Sequence, residues 1–233
     1  MTKPGNGNPK ENAGYRAAEY VRDGMIVGLG TGSTVAYTMD RLAERIKSGL
    51  QITGVPTSIQ TAMKARERGI PLASLDDVSR IDITIDGADQ IDPSLRLIKG
   101  RGAAQVRERC VADASGRLII VADTTKLCDQ LSGPVPVEVI PFALGHVIRR
   151  LEGMGGSVVV RDGVKKDGPV LSDNGNIILD YHSGPIDNPQ VLEAEINNIP
   201  GVVGCGIMAE FSEIMTVIIG ECDDCRILGN KEV

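Results

Sequence analysis

Apolar positions change period along this chain, and the changes mark its elements. Residues 25–29 form a compact apolar run ending in Gly30-Thr31-Gly32, the pattern of a strand buried on both faces that feeds a turn. Val35, Met39, Leu42 and Ile46 then recur at helical spacing and make one apolar stripe. Residues 52–55 read as a second short strand, and 58–68 as a helix with Ile59, Ala62 and Met63 facing inward. Ile81, Ile83 and Ile85 alternate towards Asp86, which puts that acid at a strand's C-terminal end. A further strand, 118–122, precedes Asp123-Thr124-Thr125-Lys126. This rhythm predicts a parallel sheet with helices on both faces. Ligands of such sheets bind beyond the C-terminal strand ends, where the polar residues of interest fall.

The texture changes at Ser132-Gly133-Pro134-Val135-Pro136. Residues 137–140, 157–160 and 177–179 read as strands, with helices starting near Phe142 and at Asn188-Pro189; Asn188 suits an N-cap and Pro189 the first helical position. Strand, helix, strand, strand, helix, strand describes a small split βαβ module. Residues 215–219 are apolar again and can rejoin the first sheet. The fold expected is α/β: a Rossmann-like parallel-sheet domain over 1–131 plus 206–233, and a smaller α+β, ferredoxin-like domain over 132–205.

Composition narrows the chemistry. The 233 residues carry 25 basic and 31 acidic side chains, a net charge of −6, and aromatics are 3% with no Trp. A surface that coats nucleic acid needs the opposite charge bias, and single-strand binders need stacking faces, so no nucleic-acid partner is expected. Any small anion must be held by local cations and backbone N–H groups. Cys110, Cys128, Cys205, Cys222 and Cys225 are odd in number and scattered, unlike a secreted disulfide framework. Cys222-x-x-Cys225 reads as two reduced thiols, with a metal or redox pair as the alternative. The stretch 1–14 is polar and the longest uncharged run, 24–39, is short and interrupted. Neither a leader, a membrane span nor a membrane partner is expected, and the location expected is cytoplasmic.

Four loops hold the candidate chemistry. Gly28-Leu29-Gly30-Thr31-Gly32-Ser33-Thr34 lacks the third glycine of a dinucleotide site and the Lys of a P-loop. Small residues at a helix N-terminus can still cradle an anion, and the alternative is a plain tight turn. Pro56-Thr57-Ser58-Ile59-Gln60-Thr61 is by itself an N-cap; a second hydroxyl-rich loop at the same sheet edge suggests a shared phosphate or sugar site. Asp86-Gly87-Ala88-Asp89-Gln90-Ile91-Asp92 can bind sugar hydroxyls or move protons, or be a solvated acidic turn; its acids do not follow the EF-hand pattern of a metal loop. Lys99-Gly100-Arg101-Gly102-Ala103-Ala104-Gln105-Val106-Arg107-Glu108-Arg109 runs from a Gly-rich stretch into a helix, and taken alone reads as a wet charged face.

In order and spacing the four loops resemble the ribose-5-phosphate isomerase, type A, family. Val137-Glu138-Val139-Ile140-Pro141, Asp173-Asn174-Gly175-Asn176 and Ile199-Pro200-Gly201-Val202-Val203 extend the resemblance over nearly the whole chain. It implies interconversion of ribose 5-phosphate and ribulose 5-phosphate through a cis-enediolate, in the non-oxidative pentose phosphate pathway. It implies no metal and no organic cofactor. Glu108 matches the proton-shuttling base, Asp86 the acid assisting ring opening, and Lys99 the cation beside the enediolate. Asp89 matches a residue that holds sugar hydroxyls. The substrate-binding set implied is Gly30, Thr31, Gly32, Ser33, Thr34, Asp86, Gly87, Ala88, Asp89, Lys99, Gly100, Arg101, Gly102 and Lys126, with Lys10 a weaker candidate. A homodimer or homotetramer is implied on the same basis.

Two positions depart from the family pattern: Gln90 replaces the usual Glu, and Arg101 the middle of three glycines. Arg101 is expected to point to solvent, the alternative being an added cation. His146 and His182 match no catalytic motif. A sugar-phosphate sensor, and a CoA transferase-like or deaminating enzyme of related fold, are the rival readings. Asp86, Lys99 and Glu108 standing together speak for the isomerase.

Overall fold

In the computed structural model, which describes residues 7–229, strands and helices alternate much as the periodicity requires. The outermost residues of the expected first domain, 1–6 and 230–233, lie outside the described residues, as does the start of the polar N-terminal stretch. In chain order the first elements are α1 (Pro9–Ala18), β1 (Ile26–Leu29), α2 (Ser33–Lys47), β2 (Thr53–Pro56), α3 (Ile59–Glu67) and β3 (Ile83–Gly87). Then come β4 (Gln90–Ile91), β5 (Leu97–Ile98), α4 (Gln105–Asp113), β6 (Leu118–Asp123), β7 (Val135–Val139), α5 (Leu144–Glu152) and β8 (Ser157–Val160). The last are β9 (Ile177–His182), α6 (Pro189–Asn197), β10 (Val202–Cys205), β11 (Ile207–Met208), β12 (Met215–Gly220) and β13 (Cys225–Gly229).

The chain divides into two compact units. The first comprises residues up to Ala88, Arg107–Leu127 and the chain from Phe211 onward. Its six-stranded sheet has the order β13-β12-β6-β3-β1-β2. Neighbours are parallel except β13, which runs antiparallel to β12 from Thr216↔Gly229 to Gly220↔Cys225. Alternation sorts the side chains: Val27, Leu29, Ile83, Ile85, Ile119 and Val121 lie in one core with Ala13, Ala17, Val35, Met39 and Leu42 of α1 and α2. Ile26 and Val55 meet Val111 of α4 in another. At roughly 1.5–3 kcal/mol per buried aliphatic side chain, these faces make the sheet a firm base for the loops at its edge.

The polar face of α3 departs from expectation. Ile59 and Met63 are 54% and 55% exposed, while Thr61 and Ala65 are buried. Hydroxyl chemistry sets this rotation: Ser58 Oγ caps the helix by accepting from Thr61 N at 3.0 Å, and Thr61 Oγ1 donates to Gly30 O at 2.9 Å. Helix α1, invisible to an apolar-stripe search, buries only small residues: Ala13, Gly14, Ala17 and Ala18.

The second unit comprises Asp89–Val106 and Cys128–Glu210. Its antiparallel sheet, in the order β10-β7-β9-β8, with α5 and α6 as connections, is the split βαβ pattern. Val135, Val137, Val139, Leu179 and Tyr181 pack with Val147, Leu151 and Ile196. Asn188 Oδ1 accepts from Val191 N at 3.3 Å, with Pro189 at the first helical position. Residues 89–106, 128–131 and 206–210, expected in the first domain, group here instead, and β4, β5 and β11 among them form a small antiparallel sheet. Two-residue strands are too short to show a period.

Candidate active site

In the first unit, β2, β1, β3 and β6 are parallel neighbours, so the loops that follow them share one sheet edge. At the end of β1 the backbone runs hard against Asp86. A Cβ on Gly30 would lie 2.0 Å from Asp86 Oδ1. Asp86 is 1% exposed, and its Oδ1 accepts from Gly87 N at 2.7 Å and Thr31 N at 3.2 Å. Hydrogen bonds to an ionised group contribute roughly 1.5–3 kcal/mol each, and the longer one belongs at the weak end. Asp86 thus joins the β1 and β3 loops.

Thr31 joins the β1 and β2 loops. Its Oγ1 lies 2.9 Å from Thr57 Oγ1, 2.8 Å from Ser58 Oγ and 3.2 Å from Thr61 Oγ1. The hydroxyls of the second loop therefore hold the first loop in place. Gly32, at φ 141°, caps α2 without a side-chain acceptor, and the first turn of α2 carries no acid. Its N–H groups and dipole suit an anion.

Beyond β6, Asp123 Oδ1 accepts from Thr125 N at 2.9 Å and from the Thr125 hydroxyl. Lys10 Nζ of α1 lies 3.9 Å from Asp123 Oδ2. Burial pushes the Asp123 carboxyl up, but the Thr125 donors, helped by Lys10 and Lys126, outweigh it and hold the group below the ordinary carboxylate range. Asp123 thereby anchors Lys10, a tie that no local sequence motif marks. Glu108 is 4% exposed and sits in the first turn of α4, a favourable place for a carboxylate.

The second unit carries Asp89 and the Lys99 loop. Lys99 is 3% exposed, and its N–H donates to Gly206 O at 2.8 Å. Ala103 N donates to Gly100 O at 2.9 Å, closing a turn in which Gly100 has φ 101° and Ala103 φ 59°. Gly100 is required twice over: for its φ, and because a Cβ there would sit 2.8 Å from Oε1 of buried Gln105. Asp89 Oδ2 accepts from Arg101 N at 2.8 Å, and Arg101 Nε lies 3.7 Å from Asp89 Oδ1. The Arg101 side chain is 76% exposed, so it points largely to solvent while pairing with Asp89.

Gln90 is accounted for within the second unit. Its Oε1 accepts from Ser132 N at 2.9 Å and Gly133 N at 3.0 Å, a task an uncharged oxygen performs. His146 and His182 are exposed. Among the described residues no three His, Cys, Asp or Glu side chains gather as metal ligands. Burial, with Asp224 adding, pushes the Cys225 thiol up to about 11, which favours the reduced-thiol reading of the pair.

Amide-, hydroxyl- and carboxylate-lined loops at the C-terminal strand ends of a parallel sheet are the class of ligand site found in α/β enzymes. The family model for ribose 5-phosphate isomerase A (phosphoriboisomerase A) matches residues 53–224. Ribose-5-phosphate isomerase A of Methanoregula boonei is 52% identical over 224 residues, covering 96% of this chain and 94% of that one. The structure of ribose 5-phosphate isomerase A from Methanocaldococcus jannaschii superposes with a TM-score of 0.90 at 41% identity, covering 95% of this chain and 98% of that one. A D-ribose-5-phosphate isomerase solved in complex with phospho-erythronic acid gives 0.91 at 44% identity, covering 95% and 97%. The chain belongs to the ribose 5-phosphate isomerase A family.

Proposed function

We propose that this chain interconverts D-ribose 5-phosphate and D-ribulose 5-phosphate, with Glu108 as the base. It is an aldose–ketose isomerase. The observation that carries this reading is the 52% identity to a ribose-5-phosphate isomerase A along nearly the whole chain, with Asp86, Lys99 and Glu108 all present. Asp86 assists opening of the furanose ring. Glu108 takes the C2 proton of the open aldose; the C2–H electron pair forms the C1=C2 bond, and the C1 carbonyl becomes the enediolate oxygen. Glu108 returns the proton to C1 while the proton on O2 passes to O1, leaving a ketone at C2. One carboxylate serves both carbons because its oxygens are equivalent.

Lys99 and the N–H groups of the Gly100–Gly102 loop stabilise the enediolate; a preorganised donor of this kind is worth roughly 3 kcal/mol. Asp89 and the 86–88 loop bind sugar hydroxyls. The uncapped α2 N-terminus with Thr31, Ser33 and Thr34 takes the phosphate, supported by Lys126 and Lys10. No step needs a Lewis acid or an electron carrier, so the reaction requires no metal or organic cofactor. No helix among the described residues is long and apolar enough to cross a membrane. A cytoplasmic homodimer or homotetramer without nucleic-acid or membrane partners, working in the non-oxidative pentose phosphate pathway, completes the reading.

The test is ketose formation from ribose 5-phosphate. Turnover should survive dialysis against a chelator, and Glu108→Gln should lower kcat by about 10²–10⁴-fold. A near-normal rate in that variant would remove Glu108 as the base. Phospho-erythronic acid should inhibit competitively.

A further inference from the structure

Arg161, just beyond β8, is tied to the turn that follows Lys99. Its Nε donates to Asp180 Oδ2 at 2.8 Å and its Nη2 to Asp180 Oδ1. Nη1 donates to the carbonyls of Gly100 at 2.9 Å and Arg101 at 3.1 Å. Asp180 lies in β9, paired with Val159 of β8, and Arg161 N donates to Ile178 O at 3.0 Å. The bidentate carboxylate contact fixes the planar guanidinium, and that plane sets where Nη1 points. Both side chains are mostly buried, at 17% and 18% exposure.

The carbonyl contacts aim the amides. Across a trans peptide the carbonyl and the next N–H point in opposite directions. Arg161 holds the Gly100 carbonyl, and the Arg101 N–H on the far side donates to Asp89. The second contact, to the Arg101 carbonyl, likewise turns the Gly102 N–H away from Arg161. Ala103 at φ 59° keeps a conformation that a non-glycine residue rarely holds unless its surroundings enforce it. An ion pair serving only to join β8 and β9 would leave Nη1 for solvent; here it binds two consecutive carbonyls of one turn.

We propose that Arg161, braced by Asp180, is a positioning residue for the enediolate-stabilising loop. It acts through the Gly100–Ala103 turn and never touches substrate. This rests on the isomerase reading above, because it is the loop's amides and Lys99 that the clamp serves.

Arg161→Met, Arg161→Lys and Asp180→Asn are compared with wild type and with Glu108→Gln for kcat, KM and melting temperature. Removing a preorganised donor outright costs about 10²–10³ in kcat; loosening the Gly102 N–H and the turn that follows Lys99 should cost Arg161→Met about 10–100-fold in kcat, with KM changed less than about threefold. A lysine cannot span a carboxylate and two carbonyls, so Arg161→Lys should show the same kcat loss, and it decides the matter if the Met variant fails to fold. Asp180→Asn should show a smaller loss in the same direction. Methylguanidinium should restore part of kcat to Arg161→Ala, and deuterium at C2 of ribose 5-phosphate should slow the Met variant by a primary isotope effect. The clamp is overturned if kcat in both Arg161→Met and Arg161→Lys stays within twofold of wild type while Glu108→Gln is inactive. It is also overturned if the loss only tracks melting temperature and methylguanidinium restores nothing. An active Glu108→Gln would instead overturn the reading on which the clamp depends.

Discussion

Replacing Gly30 with alanine tests the contact between β1 and Asp86. The new Cβ would lie 2.0 Å from Asp86 Oδ1, 2.2 Å from Cγ and 2.6 Å from Cα. Ordinary carbon–carbon contact is about 3.5–4.0 Å. Rotating the carboxylate clears its oxygen but leaves the backbone Cα too close, so β1 and β3 must also shift. Rotation further gives up the bonds from Gly87 N and Thr31 N. Overpacking costs about 1–3 kcal/mol, and the two charge-assisted bonds add about 1.5–3 kcal/mol each at most. A net loss of about 3–5 kcal/mol follows once the weak 3.2 Å bond is discounted. At about 2–4 °C per kcal/mol for a chain of this size, melting should fall by roughly 6–20 °C. Gly87→Ala is the internal control. Its Cβ would meet nothing closer than 3.9 Å, so its melting temperature should stay within about 2 °C of wild type. Thermal unfolding by circular dichroism reads both, and ketose formation should fall by about 100-fold or more in Gly30→Ala as Asp86 is displaced. Equal melting of the two variants would refute the steric reasoning.

Three further outcomes follow from the geometry. Glu138 is fully buried and its Oε1 accepts from Ser172 Oγ, Asn174 Nδ2 and Asn176 Nδ2 at 2.8, 3.0 and 2.8 Å; Glu138→Ala should lose about 2–4 kcal/mol in urea unfolding, and Glu138→Gln less. Asp123 has a folded-state pKa held below its unfolded value, so its contribution is present above about pH 4 and lost as pH falls through the folded value. The melting gap between wild type and Asp123→Asn should be constant from about pH 7 to 5 and narrow below about pH 4; a gap that widens in acid contradicts the assignment. With its thiol pushed up to about 11, half-buried Cys225 should react with iodoacetamide at pH 8 well after exposed Cys222, and equal labelling by mass spectrometry would count against that environment.

The parallel strands were legible because each is an apolar run bounded by turn residues, and the small module because Asn188-Pro189 and the strand spacing mark its elements. What escaped was weakly apolar or very short: alanine-lined α1, two-residue β4, β5 and β11, and β13 with its few apolar positions. The rotation of α3 was misread because Ile59 and Met63 look like a core face, whereas the hydroxyls of Ser58 and Thr61 decide the helix's orientation. Loop residues at the strand ends were found through local motifs. Arg161 and Asp180 were not, since their tie to the Gly100 turn spans about sixty residues of chain and no local pattern announces it.

Composition could never have named the base among 31 acids, but hydrogen bonding separates their duties. Asp86 accepts from two backbone N–H groups, Asp89 from Arg101 N, and Asp180 from the Arg161 guanidinium. Each of these carboxylates is engaged by donors that hold a loop in place. Glu108 is carried on the regular first turn of α4 rather than in a loop. Its role as the base rests on the family resemblance, and the Glu108→Gln assay tests it. In the proposed reading an acidic chain takes a doubly charged ester because these strand-end acids already have donors, and the amides opening α2 suit an anion.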